Sequence, residues 1–365
     1  LNFLRPLRQM DWILLFAAIV LSVIGIFFIF SASYQISRAT GINFSHRQVA
    51  WLALGMGIFL ILAMIDYHRL VSFAYPLLAA TVLSLIFIAL FGEIRYGARR
   101  WINLGGFTVQ PSEFAKLVVI LALSHYFAEK FAWRFRWRYV LVPAGMTAIP
   151  ALLILKQPDL GTAIIFIPLL LGLTFIGRAR MKHIIVIAVI LMLLAPASWW
   201  LLKDYQRNRI LVFLNPQRDP LGTGYTITQS KIAIGSGKIS GKGWLAGTQN
   251  MLSFLPQRRT DFIFSVVAEE WGFVGSMTVL GLYALIIYRL FRIARAARDL
   301  TGVLLVTGGL IIFSTHVVIN VGMALGLLPA TGLPLPLLSY GGSVTVATLA
   351  TLGLCQSVYC HRYWY

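Results

Sequence analysis

The residues best suited to chemistry lie in Leu255-Pro-Gln-Arg-Arg-Thr-Asp261-Phe-Ile-Phe264, where a long polar stretch runs back into apolar sequence. A carboxylate at such a boundary can act as a base. Arg258 and Arg259 beside it would hold it ionised and could bind phosphate. The same position suits a helix cap, because Thr260 and Asp261 open an apolar helix whose first N–H groups need acceptors. On spacing alone the two readings weigh equally. The adjacent arginines favour chemistry on an anionic substrate.

Other acids accompany it. Glu269 and Glu270 would lie about 12 Å deeper at ~1.5 Å per residue, a costly depth unless they face a cavity or a partner. Helical spacing of about 100° per residue puts Glu269 about 80° from the Asp261 face and Glu270 opposite. Glu269 is thus a candidate for the same cavity, although an internal hydrogen-bond network is the preferred reading of both. Gln110-Pro-Ser-Glu113 with Lys116, and Gln157-Pro-Asp159-Leu-Gly161, each put Pro at a helix start and an acid in its first turn. That is good capping chemistry, and Glu113 and Lys116 can neutralise one another at i,i+3. A structural role is preferred for both motifs. Glu113, Lys116 and Asp159 remain substrate-binding candidates because they share the outer side with Asp261.

The segment Ser230-Lys-Ile-Ala-Ile-Gly-Ser-Gly-Lys-Ile-Ser-Gly-Lys-Gly243 is not a P-loop, since Ile232 stands where that pattern needs glycine. Glycine-rich backbone can still form an anion-binding nest, to which Lys231, Lys238 and Lys242 add charge; the plainer reading is a flexible solvated loop. The six histidines show no ligand spacing, so no zinc site is expected. Gly341-Gly342-Ser343 lets helices approach closely.

These residues sit in a chain that is 59% hydrophobic and 12% charged, with mean hydropathy +0.81. Soluble domains carry roughly a quarter charged residues, so the expected class is an all-α polytopic membrane protein. The net charge of +19 falls largely in loops between apolar spans, where it orients the protein and meets anionic headgroups. Nucleic acid is not an expected partner. Cys355 and Cys360 both fall in or just after the last apolar span and imply no structural disulfide. The first apolar run lacks a small-residue cleavage end and reads as a retained helix.

About ten spans meet the requirement of roughly 17–20 apolar residues: Trp12–Phe30, Val49–Ile65, Leu70–Phe91, Ser112–Phe127, Tyr139–Leu155, Leu160–Ile176, Ile184–Leu202, Phe262–Tyr288, Leu300–Leu328 and Leu333–Tyr359. Ser112–Phe127, with Glu113 and Lys116, is the weakest and is required for the orientation to alternate. With the N-terminus inside, the inner loops carry Arg5, Arg8, Arg69, Lys130, Arg134, Arg136, Arg138, Arg178, Arg180, Lys182, Arg289, Arg292, Arg295, Arg298 and Arg362. The outer short loops carry only Arg38, Arg47, Arg95, Arg99, Arg100 and Lys156. The positive-inside rule favours that direction and places both termini in the cytoplasm. Lys203–Asp261, between spans seven and eight, is then a long extracytoplasmic loop that folds back onto the membrane surface. The 365 residues read as a single membrane domain, with no long-period repeat.

In order along nearly the whole chain, Arg100-Trp-Ile-Asn-Leu-Gly105, Gln110-Pro-Ser-Glu113, Gln157-Pro-Asp-Leu-Gly161, Asp219-Pro-Leu-Gly222 with Gly224-Tyr225, Thr260-Asp-Phe-Ile-Phe264, Ala268-Glu-Glu270 and Pro334-Leu-Pro-Leu-Leu-Ser-Tyr-Gly-Gly-Ser343 resemble the SEDS (shape, elongation, division and sporulation) family of bacterial cell-wall synthesis. Ser230–Gly237, Gly241-Lys-Gly-Trp-Leu245 and Gly247-Thr-Gln249 resemble its elongation member more than its division member. Gln257-Arg-Arg259 departs from relatives that often carry an acid and a His there, which alters local charge without removing the base.

The resemblance implies a peptidoglycan glycosyltransferase that polymerises lipid II, a disaccharide-pentapeptide on undecaprenyl diphosphate, at the outer face of the cytoplasmic membrane. It also implies a class B penicillin-binding protein as partner within the elongation machinery. Asp261 matches the family's essential aspartate. An α-linked sugar diphosphate giving a β-1,4 link requires inversion, hence one in-line displacement with a base. The diphosphate leaves readily when cations stabilise it, so a carboxylate among Lys and Arg suffices. No cofactor is required; a divalent cation such as Mg2+ on the diphosphate is compatible with the chemistry, although no dedicated ligand cluster supports one. Intramembrane acids also suit a lipid II flippase, whose key site should lie near the bilayer midplane, and a non-catalytic scaffold is a third reading.

The orientation is directly testable. A membrane-impermeant thiol reagent applied outside should modify a cysteine introduced at Ser236 and spare one at Ala179; the reverse pattern would invert the side on which the site lies.

Overall fold

The computed structural model describes residues 9–95, 98–104, 107–198, 200, 204–220 and 222–362. Arg5, Arg8, Gly105, Lys203 and Leu221 lie outside them. Apolar helices dominate: α1 (Trp12–Thr40), α2 (Phe44–Met64), α3 (Tyr67–Ser72), α4 (Ala74–Phe91), α5 (Pro111–Glu129), α6 (Arg138–Lys156), α7 (Leu160–Ile176) and α8 (Met181–Ser198). Beyond a polar stretch follow α9 (Asp204–Leu214), α10 (Thr223–Ser236), α11 (Thr248–Met251), α12 (Ile263–Ala296), α13 (Leu300–Ala324) and α14 (Gly342–His361). Seven of these are long and apolar enough to cross a membrane: α1, α2, α4, α6, α12, α13 and α14. The shorter or more polar α5, α7 and α8 fall on the three remaining expected spans, so the chain is a multi-pass, all-α membrane protein.

Local chemistry sets the helix starts. The side chains of Asp11, Asn43, Asp159 and Asp299 each accept a backbone N–H in the first turn of α1, α2, α7 and α13, satisfying donors that would otherwise be orphaned. α13 is central and packs against α5, α7, α12 and α14, while α14 lies along α2.

Three features differ from the expectation. The connection after α4 is a small antiparallel sheet of β1 (Glu93–Arg95), β2 (Ala98–Leu104) and β3 (Phe107–Val109), with Glu93 opposite Trp101 and Ile102 opposite Val109. The apolar stretch 333–341 is not helix; α14 starts only at Gly342. Pro334 and Pro336 cannot donate to a helix ladder, and Leu333, Leu335, Leu337 and Leu338 are instead buried in an irregular, turn-containing plug. Finally, the long loop is largely helical. α10 packs on α12, with Ser230 Oγ 2.7 Å from Ser265 Oγ and donating to the Ala324 carbonyl at 2.6 Å.

The glycine-rich segment is neither an anion nest nor a solvated loop. α12 breaks at Gly272 (φ 65°, ψ −156°), and the backbone of 238–243 fills the break. Phe273 N donates to Lys238 O at 2.9 Å and Val274 N to Ile239 O at 3.1 Å. Lys242 N and Gly243 N donate to the carbonyls of Glu269 and Glu270, both at 3.0 Å. A Cβ on Gly237 would strike the Ala268 carbonyl oxygen, and one on Gly272 would meet the Gly241 nitrogen. The glycines are there to let two backbones touch, and the N–H groups of Gly241, Lys242 and Gly243 are already engaged.

Glu269 completes this splint, accepting from Lys242 Nζ at 2.9 Å, Gln249 N at 3.0 Å and Asn250 N at 3.3 Å. Gly272→Ala should lower stability by about 1–3 kcal/mol or more, from its left-handed backbone alone, read as an earlier melt in detergent. Glu269→Gln removes the counter-charge of Lys242 and should expose 238–254 to protease; an unchanged melting temperature and digestion pattern would show that the splint carries no stability.

Candidate active site

Several helix ends converge on one cavity of about 460 Å³. Ala32 and Ile36 near the C-terminal end of α1, Arg100 and Trp101 of β2, Gln110 and Glu113 at the start of α5, and Asp159 and Thr162 at the start of α7 form part of its wall. The segment 253–261 before α12, together with Gly332, Pro334, Tyr340, Gly341 and Val344, closes the rest. The start of four helices and the end of one meet there, so the cavity sits at one face of the bundle.

Asp261 is held by its backbone. Gln257 adopts φ 52°, and its carbonyl accepts from the N–H groups of Thr260 and Asp261, both at 3.1 Å. Tyr340 N donates to Arg259 O at 2.8 Å, and Asn320 Nδ2 donates to Asp261 O at 2.8 Å. Helix α12 is entered through Phe262 with no side-chain cap, so the capping alternative for Asp261 finds no bond. Its carboxyl lies instead toward the cavity: a methyl group on Gly332 would stand 3.5 Å from Asp261 Oδ2 and 3.7 Å from Arg209 Nη1. Desolvation by the surrounding protein pushes the Asp261 pKa up to about 6. The negative charge of Asp159 acts in the same direction, while the Thr260 hydroxyl, Arg209 and Arg100 oppose it. Such a carboxylate is ionised near neutrality yet far more basic than an exposed one.

The cations divide by task. Arg258 is buried and its Nε donates to the Ala32 carbonyl at 2.7 Å, tying the segment to α1; burial, with Arg259 beside it, lowers its pKa. The Arg259 guanidinium lies 4.0 Å from the centre of the Phe44 ring and 6.0 Å from that of Tyr340. Arg100 donates through Nη2 to Pro158 O at 2.7 Å and stands 3.7 Å from Asp159 Oδ1. Arg100 Nε and Arg259 Nη1 are buried without a protein partner. Unmatched guanidinium N–H groups beside a cavity are suited to an anionic ligand.

Asp159 is fully engaged, by Gln110 Nε2 at 2.9 Å, Thr162 N at 3.2 Å and Thr162 Oγ1 at 3.0 Å. Glu113 reaches the cavity wall and pairs with buried Lys116 at 2.8 Å. The structure thus brings Asp261, Arg258, Arg259, Glu113 and Asp159 to the cavity, with Lys116 directly behind Glu113.

It does not bring Lys231, Lys238, Lys242 or Glu269 there. Lys231 lies over the Gly326 turn, Lys238 is exposed, and Lys242 is paired with Glu269. The angular argument for Glu269 required Asp261 to share the helix register, but Asp261 belongs to the turn before α12. Glu270 accepts from Ser31 and, at 2.9 Å, from Asn250 Nδ2, as an internal network should. Sequence reasoning missed Arg209 and Asn320 as parts of the site. For Asn320 a signal existed: it is a polar side chain inside an apolar span, where burial demands a partner.

The FtsW/RodA/SpoVE family model, described as cell cycle protein, matches residues 11–363. The chain is 39% identical to peptidoglycan glycosyltransferase MrdB of Escherichia coli strain K12, over 97% of this chain and 94% of that protein. It is 35% identical to peptidoglycan glycosyltransferase RodA of Treponema pallidum, over 97% and 98%. Among solved structures, a chain of a peptidoglycan synthase complex coordinating polymerization and crosslinking superposes with TM-score 0.83 at 37% identity, covering 98% of this chain and 99% of that one. The crystal structure of Thermus thermophilus rod shape determining protein RodA superposes with TM-score 0.71 at 33% identity, over 97% and 98%. With the family model matched over residues 11–363 and relatives of 35–39% identity aligned over nearly its whole length, this chain belongs to the FtsW/RodA/SpoVE family.

Proposed function

We propose that the chain is a peptidoglycan glycosyltransferase that polymerises lipid II at the outer face of the cytoplasmic membrane, with Asp261 as general base. The observation that carries this reading is the Asp261 carboxyl, uncommitted to its helix, in a cavity where Arg100 and Arg259 keep unmatched N–H groups. Relatives named peptidoglycan glycosyltransferase over their full length support the activity.

The chemistry follows from the residues. Asp261 removes the proton of the acceptor sugar's 4-hydroxyl as that oxygen bonds to the donor's anomeric carbon. The bond from that carbon to the phosphate oxygen breaks on the opposite side, inverting the centre, and undecaprenyl diphosphate departs. Arg100 and Arg259 stabilise the charge that grows on the leaving diphosphate. The cavity is built at helix ends and not at mid-depth, which favours polymerisation of substrate already on one face over transport through the bilayer. The peptidoglycan synthase complex that contains a similar chain and coordinates polymerization with crosslinking supports a class B penicillin-binding protein as partner. The cationic loops support cytoplasmic termini.

Purified protein with that partner should make glycan from lipid II in detergent, where transport has no meaning. Asp261→Asn should fold, keep its partner, and lose about 10²–10⁴-fold in rate. Near-wild-type polymer from this variant would remove Asp261 from the chemistry. A base works only when deprotonated, so wild-type activity should fall as the pH drops through about 6, the pKa of Asp261. A rate constant across pH 5–8 would exclude it as the base.

A further inference from the structure

One wall of the cavity is carried by buried side chains from two helices. Glu113 of α5 lines the cavity and accepts from Lys116 Nζ at 2.8 Å. The same ammonium lies 2.7 Å from Nε2 of His316 on α13, and His316 Nδ1 lies 3.2 Å from the carbonyl oxygen of Pro334. All three side chains are nearly inaccessible: Glu113 is 3%, Lys116 4% and His316 2% exposed. Pro334 itself lines the cavity, so this chain of contacts joins two of its walls.

The hydrogen-bond pattern fixes the state of the ring. A carbonyl oxygen only accepts, so Nδ1 carries the hydrogen. An ammonium only donates, so Nε2 must offer its lone pair. His316 is therefore neutral and supplies the second acceptor for an ammonium whose first is Glu113. The void of about 20 Å³ that Glu113, Lys116 and His316 help to line has room for about one water, which would not hold the ammonium in the fixed direction that the ring imposes. Deprived of it, the lysine would turn toward other acceptors, and Glu113 would shift at the cavity wall.

We infer that His316 is a positioning residue of the site: by accepting a hydrogen bond from Lys116 it fixes the ammonium, and through it the Glu113 carboxylate, against the bound substrate. The inference rests on the polymerase reading above. It assigns His316 no contact with the substrate.

Amide side chains separate its two bonds. Glutamine carries an amide oxygen out to the reach of Nε2 and can still accept from Lys116. The shorter asparagine reaches only as far as Nδ1, toward Pro334. In the polymerisation assay with the penicillin-binding partner, His316→Gln should keep its saturating rate within about threefold of wild type. His316→Asn and His316→Leu should lose about 10–100-fold in saturating rate with KM little changed, the signature of misplaced groups. Melting in detergent identifies any variant that has not folded; should His316→Leu fail there, the Gln and Asn pair decides alone. Equal rates for folded Gln and Asn variants, or rescue by Asn and not Gln, would overturn the inference. Absence of polymer from wild type would overturn the polymerase reading itself, and this inference with it.

Discussion

The site depends on how the backbone of Arg259–Asp261 is held against the irregular plug before α14. Asn320 Nδ2 donates to both Asp261 O, at 2.8 Å, and Leu333 O, at 2.7 Å, while Tyr340 N and Ser339 Oγ donate to the carbonyls of Arg259 and Thr260. Backbone carbonyls that leave regular structure inside an apolar bundle need such partners. Meeting that need fixes the segment by its main chain and leaves the Asp261 carboxyl available for chemistry. A base positioned by its own side-chain bonds would be both less mobile and less basic.

The second constraint is charge. Three carboxylates, those of Glu113, Asp159 and Asp261, share one cavity with the guanidiniums of Arg100, Arg258 and Arg259. Glu113 is matched by Lys116, and Asp159 by Arg100 together with Gln110 and Thr162. For Asp261 desolvation dominates, partly offset by the Thr260 hydroxyl and by the more distant Arg209 and Arg100. Groups of identical chemistry thereby take different roles, because each has a different set of donors. The same logic explains why Arg258 serves structure and Arg259 keeps an N–H in reserve: one is committed to the Ala32 carbonyl, the other stacks on Phe44.

Away from the cavity, the break in α12 and the 238–243 backbone form a single unit. A helix that breaks within an apolar environment frees carbonyls and N–H groups, and the glycine-rich segment supplies their partners. The Glu269 side chain holds Lys242 and the backbone of Gln249, and that of Glu270 holds Asn250, so both fix the chain at and just beyond the C-terminal end of that segment. The long loop is thereby joined to α12, and the segment that carries Asp261 connects the two.

Much of this was legible in the residues. Apolar length set the helices, since a span must satisfy its own backbone groups, and Pro or Asp at their starts marked where α5 and α7 begin. The in-order motifs pointed to the family and to Asp261. What tertiary structure decided was which polar groups meet. Helical angles could not place Glu269, because Asp261 lies in a turn that resets the register. Loop composition could not show that Lys231 and Lys242 face away from the cavity while Arg209 faces toward it. Nor could an apolar run reveal that 333–341 leaves the helix to present Pro334 and Tyr340 to the site. Sequence carries each residue's chemistry and local geometry. Desolvation and hydrogen-bond partners depend on atoms far apart along the chain, as when Asn320 closes on Asp261 and His316 on Lys116, and only the folded bundle sets those distances.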